Sequence, residues 1–147
     1  MAKPRTNHDN CKCFICKYGR EVSEEFERES LEKYGWYAHM VTDNDPQSPT
    51  GVNIHTHALA ELWNHPDFQC VFPIDPRIVM TVWHQIINDI KKGKFFEANI
   101  DYEGYLQGGY KIRFIEAKEC GRQVLRMLIC DKEGKYEGGN FAKQLEV

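Results

Sequence analysis

The sequence predicts a single α+β domain: a mostly antiparallel sheet packed by one long helix and one or two shorter ones, with a Cys-rich N-terminal appendage. Three observations carry that expectation. Residues 75–92 repeat apolar side chains at helical spacing. Segments 36–41, 52–57, 68–74, 110–117 and 123–131 are short, rich in β-branched and aromatic residues, and bounded by turn-formers. Residues 1–20 follow neither period, yet hold three of the six cysteines. The division is therefore 1–20, a Cys-rich segment and candidate zinc knuckle, and 21–147, the α+β domain. A chain of 147 residues is one domain's length, and 41% hydrophobic with 28% charged residues is a folded composition.

The first helix is expected over 22–34, where Val22, Phe26, Leu31 and Tyr34 recur at helical spacing and Gly35 supplies the stop. Residues 36–41 alternate and read as a strand. Residues 43–51, DNDPQSPTG, form a loop. Over 52–57, Val52, Ile54 and Thr56 share one face of a strand and Asn53, His55 and His57 the other. A short helical turn at 58–63 leads to a strand at 68–74 whose near-continuous apolar run suits burial on both faces. Asp75 caps the long helix and Pro76 takes its first position. Val79, Val82, Trp83, Ile86, Ile87 and Ile90 form its buried stripe, His84 packs beside it, and Gly93 closes it. The runs at 110–117 and 123–131 form a hairpin turning near 119–122, and the last residues read as loosely attached.

Over residues 34–117 the order of landmarks resembles the uncharacterised bacterial family called domain of unknown function 4262. The landmarks are YGW at 34–36, the Asp/Pro loop, a strand running into a short helix, and HPD at 65–67. An apolar strand, a Pro-initiated helix, KKGKFFE at 91–97 and the Gly109-Tyr110 strand entry follow. The resemblance implies an α+β fold and transfers no activity. This chain departs from many relatives in having Asn64, not glycine, before the His-Pro pair. It also has His55 and His57 where relatives carry small or apolar residues.

A net charge of −3 gives no electrostatic reason to bind nucleic acid or anionic lipid. No apolar run approaches the ~20 residues that span a bilayer, and no secretory leader is evident, so a cytoplasmic location is expected. Cysteines there stay reduced and read first as metal ligands or core residues. His8, Cys11, Cys13 and Cys16 follow the spacing H-x-x-C-x-C-x-x-C, enough donors for a closed tetrahedral zinc site. Free or redox-active thiols and an iron–sulfur cluster are the alternatives. Cys70 and Cys130, in apolar settings, read as core.

The second concentration of donors is imidazole. His55 and His57, two apart on a strand, project from one face, and His39 becomes their neighbour if strands 36–41 and 52–57 pair. His65 is the first candidate for a third ligand, and Glu61 could supply a carboxylate. Tyr37 and Asp67 are available as supporting hydrogen-bonding groups. Such donors suit zinc, iron or manganese, whereas surface or turn-forming roles would explain the same residues without a metal. The expected function is zinc binding in an intracellular binding or regulatory module, with a protein partner. The alternative is a hydrolytic or oxidative metalloenzyme centred on His55, His57 and His65.

Overall fold

The computed structural model describes residues 20–42 and 44–147. The Cys-rich segment, with His8, Cys11, Cys13 and Cys16, lies outside them. In chain order the elements are α1 (Arg20–Tyr34), β1 (Tyr37–Val41), β2 (Asn53–His57), α2 (Leu59–Trp63), β3 (Asp67–Cys70) and α3 (Pro76–Lys91). They continue with β4 (Asp101–Tyr102), β5 (Ile112–Glu119), β6 (Arg122–Ile129) and α4 (Gly139–Lys143). The six strands form one sheet ordered β1-β2-β3-β6-β5-β4. Only β3 and β6 pair in parallel. The expected α+β class and mostly antiparallel sheet are what the chain forms.

One face of the sheet is apolar. The stripe of α3, all six expected residues, is buried against Ile54, Phe68, Phe114 and Met127. Phe68 and Trp83 stack with centroids 6.2 Å apart. The helix begins as its sequence requires, with the Asp75 carboxylate accepting from the Arg77 N–H at 2.9 Å. His84 packs its ring at 4.6 Å from Tyr34 and 4.9 Å from Trp36, as a flank of the stripe should.

The hairpin joining β5 and β6 has a two-residue turn, Cys120-Gly121, with φ of 47° and 85°. Positive φ at both positions makes the turn whose twist matches its strands, and it sets the register Glu119↔Arg122.

Three expectations need correction. The apolar run 68–74 is not one strand: pairing ends at Cys70, short of Pro73, which has no N–H to donate. A short strand, Asp101–Tyr102, forms in what read as loop, and lies at the sheet edge beside β5. The C-terminus is tied down, because Gln144 is fully buried and hydrogen-bonds both backbone groups of Ile129, at 2.9 and 2.5 Å. A polar residue in a polar tail gave no sign of that docking.

Candidate metal centre

The other face of the sheet carries the site. Antiparallel pairing of β1 with β2 sets His39 directly opposite His55 and Tyr37 opposite His57. Alternation along both strands then sends the three imidazoles to one side. Ring centroids are 4.4 Å apart for His39–His57, 5.1 Å for His55–His57 and 5.5 Å for His39–His55. Tyr37 stacks on His57 at 5.0 Å with an interplanar angle of 16°. His39 and His55 are 1% and 0% exposed; His57 keeps some exposure, but its Nε2 is shielded from solvent.

Each ring offers one nitrogen to a set lying within 4.8 Å of one another, the only group of three metal-ligating side chains so placed among the described residues. Tetrahedral zinc, with bonds of ~2.0–2.1 Å, needs donors about 3.3–3.4 Å apart. Ring rotation must therefore close the set by as much as about 1.4 Å, a modest adjustment on paired strands.

A chain of oriented groups decides which nitrogen of His55 is presented. Arg126 can only donate, and its Nε–H reaches Gln69 Oε1 at 2.8 Å. The Gln69 amide N–H then faces Asn53 Oδ1 at 3.2 Å. The Asn53 amide N–H donates to Asp45 Oδ2 at 2.8 Å, which leaves Asn53 Oδ1 as an acceptor. His55 Nδ1, 3.1 Å from that oxygen, must carry the proton and donate. In the neutral ring the lone pair is thus on Nε2. A second nitrogen held in this way is the usual support for a metal-binding histidine.

Beyond His55 lies a buried ionic group. Glu119, 3% exposed, accepts from Arg122 Nε through Oε1 at 2.7 Å and sets Oε2 3.5 Å from His55 Nε2. Burial opposes ionisation of Glu119, but the charges of His55 and Arg122, with hydrogen bonds from Cys120 and Arg122, outweigh it and hold the carboxyl down at about 2. Arg122 continues to Asp67 Oδ2 at 3.2 Å and donates to the Thr56 carbonyl at 2.6 Å. For Asp67, burial prevails and raises the pKa, against Arg122 and hydrogen bonds from Thr56 and Leu59.

The structure brings together His39, His55 and His57 and leaves His65 elsewhere. His65 Nε2 accepts from the Phe96 N–H at 2.9 Å, so its Nδ1 carries the proton donated to the Pro66 carbonyl at 2.8 Å. Burial lowers its pKa, with a smaller opposite pull from Pro66. It locks a turn, and His39 stands in the place expected for it. Glu61 is exposed on α2 and joins nothing at the site. Asp67 supports the sheet through Thr56 and the Leu59 N–H, not an imidazole. Cys70 and Cys130 are buried core residues, the Cys70 thiol pushed up to about 12 chiefly by burial. Sequence reasoning missed Asp45, Gln69, Glu119, Arg122 and Arg126. All are polar residues without a motif: strand pairing and the tight hairpin bring Gln69, Glu119, Arg122 and Arg126 together, and Asp45 joins from the β1–β2 loop through Asn53.

Fold and site together define an α+β domain with a buried three-histidine group compatible with a metal ion. No family model, curated protein or solved structure matches the chain. Among the described residues no helix is long and apolar enough to cross a membrane.

Proposed function

We propose that the protein binds one transition-metal ion, zinc in preference, through His39, His55 and His57, and serves as an intracellular binding or regulatory module with a protein partner. The observation that carries this reading is the convergence of three imidazoles on one side of a strand pair, with the tautomer of His55 dictated through Asn53, Gln69 and Arg126. Imidazole nitrogen is a preferred donor for zinc, which imposes little geometry of its own. The near-complete burial of His39 and His55 suits a centre that organises structure better than one that admits a substrate.

Glu119 beside His55 favours a second reading, a hydrolytic or oxidative metalloenzyme, since an anionic carboxylate next to a metal can act as a general base. The cysteine set His8, Cys11, Cys13 and Cys16 is proposed as a separate structural zinc knuckle. Membership of the domain of unknown function 4262 family remains part of the proposal. It is supported by Asn64, whose φ of 52° is the left-handed conformation for which glycine is the default.

Element-resolved analysis of anaerobically purified protein tests the reading. The expected result is two equivalents of metal, of which one is lost when Cys11 and Cys13 are replaced together and the other when His55 and His57 are replaced together. Metal held only through the cysteines would overturn the histidine centre.

A further inference from the structure

Resting on that reading, we infer that Glu119 supplies the fourth ligand of the metal, through Oε2, making a three-imidazole, one-carboxylate centre.

The distance is the first argument. Glu119 Oε2 lies 3.5 Å from His55 Nε2. That is long for a charge-assisted N–H···O bond, which settles at roughly 2.7–2.9 Å. It is within a few tenths of an ångström of the ~3.3–3.4 Å edge of a tetrahedron built on zinc bonds of about 2.0–2.1 Å. The two atoms are spaced as co-ligands.

The second argument is that Oε2 is buried and makes no hydrogen bond among the described residues, on a residue only 3% exposed. A buried carboxylate normally satisfies both oxygens. Here Arg122 holds Oε1 at 2.7 Å, which fixes the plane of the group and leaves Oε2 turned to His55; Glu119 lies outside the 4.8 Å set of the three imidazoles and closes on the ion together with the rings. Position on the hairpin stiffens the arrangement further, since Glu119 is the last residue of β5, paired with Arg122 across the tight turn.

Charge is the third. Three neutral imidazoles would place the full charge of a divalent ion in an interior that already contains the cations Arg122 and Arg126, the latter 2% exposed. Uncompensated charge in such surroundings is strongly disfavoured, because the interior solvates an ion far less well than water does. An anionic ligand halves the charge of a divalent centre. Glu119 is the carboxylate that faces it, because Asp67 is turned to Thr56, Leu59 and Arg122, and Asp45 to Asn53 and Gln47.

The test is titration of the full-length chain with Co²⁺, read by visible absorption, for the wild type, Glu119→Gln and His39→Ala. Cobalt held by thiolates announces itself through ultraviolet charge-transfer bands, so the site being filled is read from the same spectrum. The inference predicts, in the wild type, a tetrahedral cobalt signal that fills without growth of thiolate bands, separate from the thiolate-banded cobalt of the cysteine set. It predicts at least roughly tenfold weaker binding with an altered visible band in Glu119→Gln, and near-complete loss in His39→Ala. If Glu119→Gln matches the wild type in affinity and spectrum while His39→Ala does not bind, the inference fails and the three-histidine centre stands. No thiolate-free cobalt in the wild type overturns both. Should Glu119→Gln not fold, the infrared difference spectrum of ¹³C-glutamate-labelled wild type on adding Zn²⁺ decides. A shifted carboxylate band supports coordination, and an unchanged carboxylate region overturns it.

Discussion

On one face of the sheet, Ile54, Phe68, Phe114 and Met127 meet the stripe of α3; on the other, His39, His55, Asn53, Gln69, Arg126 and Glu119 are equally inaccessible to water. The first face is held by area and shape, so its energy is spread over many contacts that no single hydrogen bond controls. The second depends on orientation. Each amide there is turned by its neighbour, from Arg126 through Gln69 and Asn53 to the imidazole of His55. An apolar core degrades gradually when altered, whereas a polar one fails at the first group left unpaired.

The largest effect should come from emptying the apolar face. Trp83→Ala is expected to cost about 3–5 kcal/mol in denaturant unfolding, as buried aromatic truncations do. Metal affinity of the folded fraction should barely change. Trp83→Phe should be far milder, because the indole N–H is buried without a hydrogen-bond partner among the described residues. Equal losses for the two variants would mean that polar satisfaction matters on this face as well.

On the polar face, Asn53→Leu keeps approximate volume and removes the acceptor that orients His55 Nδ1. About 1–3 kcal/mol of stability should go, the cost of stranding buried polar groups. Metal affinity should fall roughly 10–100-fold, as it does when a ligand's supporting hydrogen bond is removed. Unchanged affinity would show that His55 needs no help from Asn53.

Acid should separate the two faces next. Glu119 is depressed to about 2 from 4.5, so its stabilisation is complete above 4.5 and is lost as pH falls toward 2. Asp67 is raised and works in the opposite sense, since the folded state takes up its proton first. His65 is lowered from 6.5, so the unfolded chain binds that proton more readily and stability declines as pH drops below 6.5. Metal-free protein should therefore lose stability in two stages, one beginning near 6.5 and one below 4.5. A flat profile down to the second stage would deny that His65 is locked between Phe96 and Pro66. The smallest change is expected for Glu61→Ala, which should shift stability by less than about 0.5 kcal/mol and leave metal binding alone.

These differences also explain what could be read before the fold was known. Periodicity reports the apolar face directly, so α3 with its cap and all six stripe residues was legible. Alternation placed His55 and His57 together, and pairing of neighbouring strands brought in His39. Glu119 and Arg122 were not legible, because they reach the site through β3 pairing in parallel with β6, a contact between distant segments. His65 misled for the reverse reason. Nearness along the chain suggested convergence, while the backbone of Phe96 and Pro66 had already claimed both ring nitrogens.

The central claim is that His39, from a different strand, completes the group begun by His55 and His57. Zinc titration of His39→Ala against wild type tests it most directly, with circular dichroism establishing that both are folded. The account predicts loss of the histidine-bound equivalent in the variant, with affinity down at least roughly 100-fold, since one of the few bonds to the ion is gone. Zinc binding in His39→Ala with wild-type affinity and stoichiometry would contradict it.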